Sequence, residues 1–112
     1  MPKTTYNSFT FEEYSERART TANYEELEYG WLYPLIGLCG ETGELANKLK
    51  KVIRDKTFDE VKVKHELGDI LWYLNQLCLE LDMSLSDVAR ENLRKLEARY
   101  KNNTIHGDGD ER

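Results

Sequence analysis

Three times along this 112-residue chain a Ser or Thr is followed three residues later by an acid: Thr10 to Glu13, Thr57 to Glu60 and Ser84 to Asp87. In such a capping box the hydroxyl accepts a hydrogen bond from an amide that the first helical turn leaves unpaired, and the acid reaches back to the cap. These starts predict helices over about 11 to 28, 58 to 81 and 85 to 101. A fourth, over about 32 to 55, follows from Leu32, Leu35, Ile36, Cys39, Leu45, Leu49, Val52 and Ile53 recurring at helical spacing. Pro34 falls in its first turn, where a missing amide leaves nothing unpaired. No stretch alternates with period two for long enough to argue a sheet. The joins near Lys56 and Asp82 are short, so consecutive helices are expected to pack antiparallel. The fold class read from the chain is all-α, a four-helix bundle-like single domain.

One core is all that this length supports, so a single domain over 1 to 112 is expected, with 1 to 9 and 102 to 112 as flexible tails. The closing NNTIHGDGDER has too much Gly and Asp to continue a helix. With 33% charged and 39% hydrophobic residues the balance is that of a soluble helical domain. No apolar run reaches the roughly 20 residues that cross a bilayer, and MPKTTYNSF lacks the apolar stretch of a signal peptide. A cytoplasmic protein without a membrane partner is therefore expected. A net charge of -5 argues against nucleic-acid binding, which needs clustered Lys and Arg, but is compatible with a small phosphorylated ligand. Cys39 and Cys78 stand in apolar surroundings outside any CxxC or CxxxH pattern and read as buried free thiols.

The chemistry begins in GLCGETGELANKLKK, where Glu41 and Glu44 sit one turn apart along an edge of the apolar stripe. Lys48, Lys51 and Asp55 continue that edge. In KHELGDILWYL the core face is Val63, Leu67, Ile70, Leu74, Leu77 and Leu81; Glu66 falls inside it and Asp69 on its border. A carboxylate in an apolar stripe is costly unless a cation or a full set of hydrogen bonds compensates. For one acid, a salt bridge to a neighbouring helix or plain exposure suffices. Two such pairs on successive antiparallel helices bring four negative charges together, and an all-oxygen set suits Mg²⁺ or Mn²⁺. A di-iron bundle would want Glu-x-x-His on two helices, and neither His65 nor His106 follows a Glu at that spacing.

His65 points away from the core stripe and reads as a solvated residue. In ENLRKLEARY, Asn92, Lys95 and Arg99 recur along one edge, where Lys and Arg could neutralise phosphate oxygens. An ordinary amphipathic helix with a basic C-terminal half is the alternative. Gly37, Gly40, Gly43 and Gly68 each cost a helix about 1 kcal/mol relative to Ala. Small residues there let helices approach closely, leave room beside the carboxylates, or mark a kink.

Together, ExxE in GETGEL, ExxD in ELGDILWYL after 21 intervening residues, and ENLRKLEARY resemble the MazG-like all-helical nucleoside triphosphate pyrophosphohydrolases. The similarity runs from about Tyr14 to the C-terminus and takes in KKVIRD and IHGDGDER. The resemblance implies Mg²⁺-dependent hydrolysis (Mn²⁺ as a substitute) of the α,β-anhydride of a nucleoside triphosphate, giving a monophosphate and pyrophosphate. It places the metal and catalytic ligands on Glu41, Glu44, Glu66 and Asp69, and the substrate contacts on Asn92, Lys95 and Arg99, with Lys51 as a further candidate. Gly40 stands where many relatives carry another glutamate, and Glu41 is the preferred general base. It also implies a homodimer or homotetramer, and a GDGD tail with Arg112 that folds over the pocket or a neighbouring subunit. Trp31, Tyr33, Trp72 and Tyr73 are candidates for interface or base-stacking contacts, with core packing their expected role. Two other functions fit less of the pattern: the related phosphoribosyl-ATP pyrophosphohydrolase, and a non-catalytic helical interaction module.

Overall fold

A computed structural model describes residues 8–24 and 29–102. They form four helices, α1 (Phe11–Arg19), α2 (Leu32–Asp55), α3 (Glu60–Glu80) and α4 (Leu85–Lys101), with no strand among the described residues. Two of the expected caps are in place: the Thr10 hydroxyl accepts from the Glu13 amide at 3.1 Å and the Ser84 hydroxyl from the Asp87 amide at 3.2 Å. The third differs. Asp59 caps α3, its carboxylate accepting from the Lys62 amide at 3.1 Å. A carboxylate there satisfies an orphan amide and meets the positive end of the helix dipole, so α3 begins after Asp59 and not after Thr57.

Helix α1 stops at Arg19, well before residue 28. The hydroxyls of Thr20 and Thr21 donate to the Arg17 and Ala18 carbonyls at 2.7 Å each, closing the helix with side-chain bonds. The C-terminal GDGD segment, with Asp108, Asp110 and Arg112, lies outside the described residues, as do 1–7 and 25–28.

At the end of α2, Lys56 turns left-handed (φ 60°) and its amide reaches the Val52 carbonyl at 2.7 Å. This closure reverses the chain in a few residues. Helix α3 then runs back along α2: Lys48 faces Glu66, while Gly37, further up α2, faces Tyr73, further along α3. The antiparallel expectation holds for this pair. Helix α3 is the shared element, packing against α1, α2 and α4, whereas α2 meets α3 alone among the helices.

That topology decides where the core sits. Ala18, Pro34, Asn75, Gln76, Cys78, Leu85 and Arg99 are buried, mostly around the C-terminal half of α3 where helices surround it. The indole of Trp72 donates to the Thr21 hydroxyl at 2.8 Å and ties α1 to this region. Elsewhere the expected core is open. Leu67 is 51% exposed and Leu81 46%, and Ile36 and Ile53 of α2 reach 62% and 77%. Cys78 is buried as expected, but Cys39 is exposed. Trp31 and Tyr33 are likewise exposed and not core residues. Among the described helices α3 alone covers a stripe of α2, with Tyr24 stacked on Tyr33 near its start.

Candidate metal centre

Glu41 lies on the side of α2 that meets α3, and Glu66 and Asp69 stand on adjacent turns of α3. One carboxylate oxygen from each of the three falls within 4.8 Å of the others. The Glu41 carboxyl is held above the ordinary carboxylate range, first by its burial, then by a hydrogen bond with the Glu66 carboxyl and by the charges of Asp69, Glu66 and Glu44. Bringing acids this close is unfavourable unless a proton or a cation joins them.

Glu66 is the most telling member. Its side chain is 16% exposed, one oxygen lies 3.5 Å from the Lys48 ammonium, and the other, Oε1, is buried with no hydrogen-bond partner. A buried acceptor left unpaired costs about 1–3 kcal/mol, more when charged, and a cation at that oxygen would offset the cost. Lys48 cannot do it alone. Three oxygen donors and no nitrogen or sulfur match a hard divalent ion such as Mg²⁺ or Mn²⁺. The residues present therefore fit the metal.

Glu44 stands next to this set. It is exposed on the turn after Glu41 and adds its charge to that residue, but it is not among the three converging carboxylates. The glycines have two roles. A Cβ at Gly37 would lie 2.2 Å from the Tyr73 ring, so glycine here lets the ring rest against the α2 backbone. At Gly40, Gly43 and Gly68 nothing lies within 4 Å, and these positions leave open space beside the acids.

The expected substrate contacts fall in more than one place. Lys51 lines a cleft of about 310 Å³ with Lys48 and Asp55, towards the end of the hairpin. Asn92 and Lys95 line a groove of about 490 Å³ with Asp82, Ser84 and Asp87, and Arg99 is buried. None of the three acids lines that groove, because α4 packs on α1 and α3 and not on α2. Tyrosines take the neighbouring places. Burial and the charge of Asp69 raise the Tyr14 pKa, and burial, then Tyr33, then the charge of Glu41 raise that of Tyr73. Tyr73 was visible as a candidate for stacking; Tyr14, at helical spacing from nothing else in the site, gave no signal.

Comparison with known proteins adds the missing context. Residues 34–104 match the model of the MazG nucleotide pyrophosphohydrolase domain, a span that includes every acid of the cluster. The chain belongs to the MazG family. It is also similar to the Gene 37 protein of Mycobacterium phage L5, 44% identical over 88 residues that cover 74% of this chain and 77% of the relative. No solved structure gives a significant match. The match extends over most of the all-α MazG domain described above, from Pro34 in the first turn of α2 to just beyond α4.

The raised Glu41 pKa has a consequence for this MazG domain without metal. A carboxyl whose folded pKa lies above its unfolded value binds its proton more tightly in the folded chain, so this contribution to stability declines as pH rises from about 4.5 through the folded pKa. Glu41→Gln removes the penalty. Without divalent ions at pH 7 the variant is expected to melt above the parent, with the gap closing towards pH 4. Added Mg²⁺ should raise the melting temperature of the parent and leave that of the variant in place. Thermal denaturation with and without Mg²⁺ checks both statements.

Proposed function

We propose that this MazG domain is a Mg²⁺-dependent nucleoside triphosphate pyrophosphohydrolase that clears unwanted NTPs or dNTPs from a cytoplasmic nucleotide pool. The observation that carries the reading is the convergence of Glu41, Glu66 and Asp69 around a buried, unpartnered carboxylate oxygen. Membership of a nucleotide pyrophosphohydrolase family supports the bond that would be cleaved. No helix among the described residues is long and apolar enough to cross a membrane.

Glu41, Glu66 and Asp69 hold the ion, and Glu44 adds charge from the next turn. Mg²⁺ bound there, with Mn²⁺ as a substitute, would neutralise the triphosphate and polarise the attacked phosphorus. Glu41 is the general base of this reading, the carboxylate placed to take a proton from an attacking water. Lys51, beside Lys48, is the proposed phosphate contact nearest the acids, and Asn92, Lys95 and Arg99 are further proposed substrate contacts on α4, which in the described chain packs on α1 and α3 and not on α2. The exposed apolar flank of α2, with Ile36 and Ile53, supports assembly as a homodimer or homotetramer.

The test is to incubate the purified protein with a panel of NTPs and dNTPs plus Mg²⁺ and to separate the products. Monophosphate and pyrophosphate are expected. Activity confined to phosphoribosyl-ATP would favour the histidine-synthesis relative, and no product from any nucleotide, beside an active relative, would leave a non-catalytic module.

A further inference from the structure

The acids occupy only part of a stripe on α3 that continues towards its C-terminus. Asp69, Tyr73, Gln76 and Glu80 follow at intervals of four, three and four residues and share one face of the helix. From Asp69 to Gln76 the rise is about 10 Å, the order of reach from a nucleotide's α-phosphate across the sugar to its base. Aromatic rings fill the interval: Tyr73 lies 6.5 Å from Tyr33, which stacks on Tyr24 with centroids 4.6 Å apart.

At the far end is a cleft of about 460 Å³ lined by Gln76, Tyr24, Glu80 and Arg19 among others. Gln76 is 4% exposed, and its Oε1 is buried without a hydrogen-bond partner. The orientation of its amide follows from the neighbours. The Tyr24 hydroxyl donates its proton to Glu80 at 3.2 Å, and its oxygen is thereby free to accept from the Gln76 amide beside it. The amide nitrogen can donate there, and the carbonyl oxygen is left without a partner among the described residues. Gln76 and Glu80 thus present two acceptors on successive turns of one helix.

We propose that this cleft is the nucleobase end of the site, and that Gln76 selects bases carrying an exocyclic amine over uracil and thymine. An amine of cytosine, adenine or guanine offers the protons that two acceptors need. The pairing edge of uracil or thymine holds one N–H between two carbonyl oxygens, so facing two acceptors it sets oxygen against oxygen. A buried acceptor left unpaired discriminates strongly, because the wrong ligand leaves it unsatisfied. The inference rests on the nucleotide-hydrolysing reading above.

The experiment compares kcat/KM for dCTP, dATP, dTTP and dUTP in the Mg²⁺-loaded protein, together with binding of their non-hydrolysable α,β-methylene analogues. The parent is expected to favour dCTP or dATP over dTTP at least about tenfold. Gln76→Leu should collapse that ratio towards one, and Tyr24→Phe, which removes only the hydroxyl beside the amide and keeps the ring, should reduce it several-fold. The ratio between bases is unaffected by partial loss of folded protein. A parent that cleaves all four alike, or variants that keep the parent's ratio, overturns the base assignment and leaves the hydrolase reading standing. If no nucleotide is bound or cleaved, both fall together.

Discussion

Replacing Glu66 by Gln is expected to lower nucleotide hydrolysis at least about 100-fold while the helices stay folded. Gln has nearly the shape of Glu, so the packing between α2 and α3 is kept and the charge alone is lost. The ion pair with Lys48 goes with it, but Lys48 is 38% exposed and a pair of that kind contributes on the order of 0–1 kcal/mol. What disappears is the buried anionic oxygen that has no hydrogen-bond partner among the described residues. Calorimetric titration with Mg²⁺ should show the loss of affinity directly, and circular dichroism should show an unchanged helical signal. Activity within a few-fold of the parent, or Mg²⁺ binding at the parent's affinity, would remove Glu66 from the metal centre.

Gly37→Ala should produce the largest loss of stability among single-methyl changes in α2. The added Cβ would lie 2.2, 2.5 and 2.6 Å from three carbons of the Tyr73 ring. The ring has little room to withdraw, since it packs edge-on against Trp72 with centroids 5.1 Å apart and faces Tyr33 on its other side. Overpacking of this kind costs about 1–3 kcal/mol. For a domain of this size that corresponds to a fall in melting temperature of roughly 5–15 °C. Gly40→Ala is the control: nothing lies within 4 Å of its Cβ, and the better helix former should hold or raise the melting temperature. Equal behaviour of the two variants would show that Tyr73 does not rest against α2.

How much of this was legible in the sequence varies by the range of the interaction involved. The helices were, because caps such as Thr10 and Ser84 and the apolar periodicity of α2 act within a turn or two. Where two local signals competed, at Thr57 and Asp59, spacing did not show that the residue nearer the helix and carrying a charge would win. Glu66 stood out as a carboxylate on an apolar face, and Asp69 followed from it. The convergence of Glu41 was also legible, since a short reversal at Lys56 fixes which turns of α2 and α3 meet.

The exposure of Cys39 and Leu67 was not, because it depends on which flanks of a helix acquire neighbours. Helix periodicity marks an apolar stripe without saying whether the covering surface belongs to the same chain. For the same reason the spacing of Asn92 and Lys95 could not show that α4 packs on α1 and α3 and, among the described residues, not on α2. The orphaned oxygen of Gln76 had no signature at all, since a glutamine on a helix is ordinarily solvated.

Helix α2 supplies Glu41 yet, among the described helices, packs on α3 alone. Local opening in proteins draws on the elements with fewest packed partners, so amide exchange should be fastest along the exposed flanks of α2 and slowest around the enclosed half of α3. Anything that binds across the two helices raises the free energy of that opening in proportion to its occupancy. A divalent ion joining Glu41 to Glu66 and Asp69 would act as a clasp on the hairpin, and the order of this segment would then report the cation concentration around the molecule.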